Sequence, residues 1–226
     1  MKKSLIFLTW NEFDGTKKIL PEIKNDWADE IIVVDGGSKD GTVELFQARG
    51  IKVFGQEKRG RGEAFRVGVA NTTGDHLVFF SPDGNEHAAD IPRVFDELAK
   101  GADMVIASRF LPGSRNEEDH SLLPLRKWVN QAFSLIANLF WNRGEYVTDT
   151  INGFRGLTRK AWNQLAPEST AFTIEYELSI RSMKQKLKIK EFPTAEGDRV
   201  GGVSKVPSFR AGIIFLRLLL HEICRG

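Results

Sequence analysis

Four polar clusters in this 226-residue chain hold the residue types from which a ligand site is built: Thr9-Trp10-Asn11-Glu12, Asp35-Gly36-Gly37-Ser38, Ser81-Pro82-Asp83-Gly84-Asn85 and Ser108-Arg109. Each directly follows a short apolar run. In an open parallel sheet, ligands bind outside the carboxyl ends of the strands. Carboxylates, amides and an Arg gathered there can hold a nucleoside, a diphosphate and its metal. Taken singly, each cluster is equally a loop or a cap. Asp35 at a strand end can accept hydrogen bonds from a nucleoside, or cap the turn that follows. Asp83 can share a divalent ion with a diphosphate, which offsets charge building on a leaving group, and Asn85 can add a neutral oxygen.

Other chemistries find less support. Gly60-Arg61-Gly62 lacks the full Gly-x-Gly-x-x-Gly spacing, and no Gly-x-x-x-x-Gly-Lys-Ser/Thr segment exists. The four His residues (76, 87, 120 and 221) lack metal-site spacing. The single Cys224 excludes an internal disulfide or a cysteine metal site, which suits a reducing cytoplasm.

The elements that must position the clusters alternate. Residues 5–9, 30–35, 51–55, 76–80 and 104–107 read as strands, and 42–49, 62–71 and 91–100 as helices, with another opening at 19–22 and Thr42 as a cap. This pattern predicts a mostly parallel sheet with helices on both faces. The second half predicts an unusually apolar helix at 128–141, an amphipathic one at 171–186, a strand at 189–192, a polar loop at 198–205 and a largely apolar helix at 209–224. The two apolar helices can bury their faces in the domain or against a second subunit, or lie in a membrane interface with Trp and Arg at headgroup level.

Composition narrows the class. Apolar residues make up 41% and charged residues 27%, ordinary for a soluble globular chain. The net charge of +2 does not suit a nucleic-acid binder. It is unevenly spread, because from Arg181 onward ten Lys/Arg face four Asp/Glu, a basic tail suited to phosphates or a membrane surface. The apolar start is too short for a signal peptide, and no run reaches the roughly 18 apolar residues that span a bilayer.

The ordered motifs carry a resemblance. Thr9-Trp10-Asn11-Glu12 resembles the opening Thr-Tyr-Asn-Glu of the family-2, GT-A-type glycosyltransferases, in particular their dolichol-phosphate mannose synthase-like branch. Residues 33–42 are similar to that family's Val-Val-Asp-Asp-Gly-Ser-x-Asp-Gly-Thr, with Gly36 in place of the second Asp. Gly60-Arg61-Gly62 resembles Gly-Lys-Gly, Ser108-Arg109-Phe110 resembles Ser-Arg-Tyr, and residues 149–155 resemble Asp-x-x-Ser-Gly-Phe-Arg. Phe172 to Glu175 is similar to Phe-x-x-Glu, and residues 199–205 to Arg-x-x-Gly-x-Ser-Lys. One departure stands out: the family's Asp-x-Asp is Ser81-Pro82-Asp83 here.

The resemblance implies a GT-A-like α/β domain over 1–206 with an amphipathic helix at 207–226. It implies an inverting transfer of a sugar from a nucleoside-diphosphate sugar to a polyprenyl phosphate, assisted by Mg2+ or Mn2+. Asp83, Arg109 and Arg199 would be catalytic, with Asp83 and Asn85 on the metal. Thr9, Asn11, Glu12, Asp35, Gly36, Arg61, Pro82, Arg155, Glu175, Ser204 and Lys205 would bind substrate. Asp149 and Glu175 are either acceptor-side groups or helix-capping and ion-pair partners of nearby Arg. Two other readings stay open, a transferase to a sugar hydroxyl and a catalytically silent nucleotide-sugar-binding protein. The implied location is the cytoplasm, with a possible peripheral seat on the membrane's inner face and a possible homo-oligomer.

Overall fold

A computed structural model describes residues 1–121, 123–197, 200 and 208–225. The first half alternates as expected: β1 (Lys3–Thr9), α1 (Phe13–Ile19), β2 (Glu30–Asp35), α2 (Thr42–Ala48), β3 (Lys52–Gly55), α3 (Arg61–Ala70), β4 (His76–Phe80), α4 (Ile91–Ala99) and β5 (Met104–Ser108). The second half adds α5 (Leu125–Trp141), β6 (Arg155–Thr158), α6 (Arg159–Leu165), α7 (Ile174–Lys184), β7 (Ile189–Pro193) and α8 (Ser208–Cys224).

The strands form one sheet in the order β3-β2-β1-β4-β6-β5-β7. All neighbours run parallel except β6, which is antiparallel to β4 and β5. Period-two alternation sorts the side chains. Leu5, Phe7, Val78, Phe80 and Val105 face α1, α2 and α4, whereas Ile6, Leu8, Leu77, Phe79 and Ile106 face α3, α6 and α7. Both faces are covered, which is why these strands read as nearly continuous apolar runs.

Several expectations need correction. The first helix begins at Phe13 rather than opening at 19–22, and the chain tightens into a 3-10 turn over Leu20–Glu22. Pro21 explains the stop, since it has no N–H to continue an α-helix. Thr42 does not cap α2. Gly41 occupies the cap position in the left-handed conformation, and the Asp40 carboxylate accepts the Thr42 N–H (3.0 Å). Neither β6 nor α6 shows in the sequence pattern. Arg-Gly-Leu-Thr has no alternation, and β6 exists because its edges complete the ladders of β4 and β5.

The C-terminal helix packs on the rest of the chain. Phe215 lies 5.1 Å from the Phe133 ring and 5.5 Å from that of Tyr176. Buried Glu222 pairs with Arg181 (3.0 Å) and Lys184 (2.9 Å) on α7. The outer faces remain exposed, with Trp128, Leu135, Leu139 and Phe140 on α5 and Ile213, Leu216, Leu220 and Ile223 on α8. The inner faces of both helices are thus packed in the domain, as the first reading expects, while their outer faces are left exposed.

Candidate active site

The carboxyl ends of β1, β2, β4 and β5 bring the four clusters to one edge. At β1, the Thr9 hydroxyl is buried without a hydrogen-bond partner. The next residue, Trp10, carries the Arg59 guanidinium 3.8 Å from its ring centroid. Asn11 is left-handed (φ 51), its N–H donates to Ser38 Oγ (2.8 Å), and its Oδ1 accepts the Lys39 N–H (2.9 Å). The N–H of buried Glu12 donates to Thr42 Oγ1 (3.0 Å).

At β2, Asp35 reaches the edge, but its oxygens hold the turn. They accept the N–H groups of Gly37 (2.8 Å) and Ser38 (2.9 Å) and the Ser38 hydroxyl (2.5 Å). Of the two roles open to Asp35, the turn cap is realised. Gly36 has a structural reason. A Cβ there would sit 3.1 Å from Trp10 Cβ, 3.2 Å from Gln56 Oε1 and 3.4 Å from Arg59 Cγ. A side chain at 36 would therefore require Trp10, Gln56 and Arg59 to shift by a few tenths of an ångström.

The β4 end is the densest. Gly15 lets α1 approach the loop so closely that a Cβ would lie 2.4 Å from the Pro82 carbonyl oxygen and 2.5 Å from the Asp83 carbonyl carbon. Asp83 is buried. Asn85 donates from Nδ2 to Glu196 Oε1 (3.2 Å), which leaves its buried Oδ1 without a partner. The half-buried Glu86 folds back, and its Oε2 accepts the Ser81 N–H (2.8 Å). Burial, and next the Asp83 charge, push the Glu86 carboxyl up to about 8, against the pull of Arg61. Among the described residues no three His, Cys, Asp or Glu side chains form a ready metal site. Asp83 and the orphaned Asn85 oxygen nonetheless make a hard, all-oxygen donor set that fits Mg2+ or Mn2+ if a ligand supplies further oxygens.

Two arginines border this loop. Arg61 donates from Nη1 to Ser81 Oγ (3.2 Å) and pairs through Nε with Glu175, whose other oxygen, buried Oε2, has no partner. Arg109 grips buried Asp149 with two parallel bonds, Nε to Oδ2 (2.7 Å) and Nη2 to Oδ1 (3.0 Å). Burial opposes the Asp149 charge, but Arg109 prevails and holds the carboxyl below its usual range. Asp149 is thereby an ion-pair partner, and only Glu175 keeps an oxygen for a ligand.

Arg155 does not reach the site. Fully buried in β6, its guanidinium donates to the carbonyls of Asn152 (2.8 Å from Nε), Thr150 (3.2 Å) and Glu175 (2.8 Å). It braces the 149–154 loop against α7 and contacts no cleft. Arg199, Ser204 and Lys205 lie outside the described residues. Four contributors escaped sequence reasoning: Arg59, Glu86, Arg126 and Glu196. Glu86 adjoins a cluster already noted, whereas nothing near Glu196 marks it as a partner of Asn85 and Arg109.

Behind the two arginines lies a cavity of about 350 Å3. Arg61, Arg109, Arg126, Asn130 and Glu175 supply its polar lining, and Val129, Phe133, Ile151, Phe172 and Phe215 much of the apolar remainder. Leu125 and Val129 line it and also belong to the exposed apolar face of α5.

An open, mostly parallel α/β sheet with polar loops at its strand ends and a carboxylate loop after the central strand is a GT-A-like arrangement. The chain belongs to glycosyl transferase family 2, whose model matches residues 4–165, and it is a glycosyltransferase. It is 29% identical over 216 residues to the glycosyltransferase AglJ of Haloferax volcanii, covering 93% of this chain and 68% of that one. It is 28% identical to the UDP-N-acetylglucosamine–dolichyl-phosphate N-acetylglucosaminyltransferase of Methanococcus voltae, covering 97% and 95%. Of two further archaeal relatives it spans only 52% and 59%. The fold matches glucosyl-3-phosphoglycerate synthase from Mycobacterium tuberculosis with a TM-score of 0.76 at 20% identity, over 98% of this chain and 78% of that one.

Proposed function

We propose that the protein transfers a sugar from a nucleoside-diphosphate sugar to a polyprenyl phosphate, with inversion at the anomeric carbon. The observation that carries this reading is the cavity, where arginines at one end adjoin the Asp83 loop and an apolar lining continues to the exposed face of α5. Arg61 and Arg109 would orient the acceptor phosphate. Its anionic oxygen attacks the anomeric carbon as the bond to the nucleoside diphosphate breaks, so no strong base is needed. Positioning and charge stabilisation then supply the catalysis. Asp83 and Asn85 would hold a divalent cation, which neutralises charge on the departing diphosphate. The related enzyme from Methanococcus voltae, named for a dolichyl-phosphate acceptor, supports the acceptor class.

The outer faces of α5 and α8 would rest on the lipid surface that holds such an acceptor. No helix among the described residues is long and apolar enough to cross a membrane.

One observation favours a second reading, a sugar-hydroxyl acceptor. The unpartnered Glu175 Oε2 could take a hydroxyl proton, whereas Asp149 is locked on Arg109. A radiolabelled donor panel with dolichyl phosphate or with soluble glycans separates them. Label entering the organic phase, with Glu175→Gln retaining most turnover, supports the lipid phosphate. Label entering only glycans, with turnover lost in Glu175→Gln, overturns it.

A further inference from the structure

Position 81 is Ser where an Asp-x-Asp motif has its first carboxylate, so Asp83 alone would carry the negative charge of the cation site. We propose that Glu86 is the second carboxylate of that site, delivered from the far end of the loop to the place position 81 leaves open. This rests on the divalent-cation part of the proposed function.

The loop geometry brings it there. Gly84 is left-handed (φ 85) and turns the chain back after Asp83. Glu86 thereby reaches the backbone of Ser81, five residues earlier, and Oε2 accepts that N–H at 2.8 Å. One oxygen is thus fixed at the base of position 81, and Oε1 stays available to a ligand. The Ser81 side chain is engaged elsewhere, since its hydroxyl accepts from Arg61 Nη1 at 3.2 Å. With its hydroxyl held by Arg61, Ser81 does not itself stand in for the missing carboxylate.

The neighbouring amide points the same way. Glu196 takes the Asn85 Nδ2 hydrogen, so the amide cannot rotate to satisfy Oδ1, and that buried oxygen is left without a donor. A buried carbonyl oxygen without a partner is costly, and a hard cation satisfies it as well as a donor does. Asp83, Asn85 and Glu86, ionised once a cation offsets the Asp83 charge, then provide two anionic oxygens and one neutral oxygen within four residues. A diphosphate would complete the shell.

The alternative is that Glu86 only clips the loop. Glu86→Gln separates the two, because its amide oxygen can still accept the Ser81 N–H while the charge is lost. Mn2+ binding is read by electron paramagnetic resonance in the presence of uridine diphosphate, with a metal-free melt confirming the fold. The expected result is Mn2+ affinity weakened about tenfold or more in Glu86→Gln, with recovery in the Ser81→Asp/Glu86→Gln double variant. Should Glu86→Gln not fold, Glu86→Asp, which keeps the charge one methylene short, must show weakened Mn2+ binding. Wild-type affinity in Glu86→Gln, or a folded double variant that does not recover, overturns the assignment and leaves the cation reading of Asp83 intact. No Mn2+ binding by the wild-type protein with uridine diphosphate overturns both.

Discussion

At the scale of single residues, the site is arranged as opposed charges that are largely buried. Arg109 is 12% exposed and its partner Asp149 fully buried, so each is the other's main counter-charge, with Glu196 also 3.7 Å from Arg109. Removing one member of such a pair strands the other in a poorly solvated place. Asp149→Ala should therefore lower unfolding free energy by about 3–5 kcal/mol. Arg126→Ala, which breaks the half-exposed pair with Glu117 (2.7 Å), should cost no more than about 1 kcal/mol. Urea unfolding of the two variants side by side checks this, and equal losses would mean that the Arg109–Asp149 pair is solvated. Asp35 belongs to the same logic, since three turn donors depend on it and its loss would deform the loop as well as any nucleoside contact.

The elements show how the second half is attached. Helix α8 is docked on α7 by Phe215 and Leu219 in the core and by Glu222 beneath Arg181 and Lys184. Burial works against the Glu222 charge, but hydrogen bonds from Lys184 and Arg181 prevail and hold its carboxyl below the usual range. A carboxyl whose folded value is depressed adds stability above its unfolded value and loses it as pH falls through the folded one. The thermal midpoint of the wild-type protein should therefore drop on acidification from neutral pH to below about 4, a carboxylate's ordinary value. Glu222→Gln should start lower at neutral pH and fall less. Parallel melts across that range check it, and superimposable slopes would remove Glu222 from the docking of α8.

Viewed as a whole, the molecule has a polar ligand edge at the strand ends and an apolar face on α5 and α8. On the proposed reading this face meets lipid, as large exposed apolar patches mark interaction sites. Leu216 and Leu220 are 52% and 55% exposed, so replacing them leaves the core untouched. Burying one such side chain in a lipid interface contributes about 1.5–3 kcal/mol. Leu216→Glu with Leu220→Glu should then reduce sedimentation with anionic vesicles by roughly 100-fold or more in partition coefficient, while the melting temperature barely changes. Unchanged partition together with a concentration-dependent shift from dimer to monomer would instead make the face a contact between copies of the chain. Deleting 207–226 is a poorer test, because it would also uncover Phe215 and Leu219.

Local order was legible where a continuous run of residues carries the signal. The strands β1, β2, β4 and β5 are continuous apolar runs because both sheet faces are covered, and a polar cluster after each run is enough to place Thr9, Asp35, Asp83 and Arg109 at one edge. The Gly41 cap and the stop at Pro21 also depend only on neighbouring backbone, yet the apolar pattern misplaced both, opening a helix at 19–22 and putting the cap on Thr42. Contacts between distant segments were not legible. Nothing in Arg-Gly-Leu-Thr signals a strand until β4 and β5 stand on either side with unpaired ladders. Arg155 looks like any phosphate-binding Arg until the carbonyls of residues 150, 152 and 175 close around it. Charge type and spacing along the chain determined which residues could serve a sugar-nucleotide site. Which of those charges face a ligand, and which already neutralise each other, was decided by folding, because pairing depends on distances of about 3 Å between residues that the sequence separates by as many as 114 positions, as it does Arg61 and Glu175.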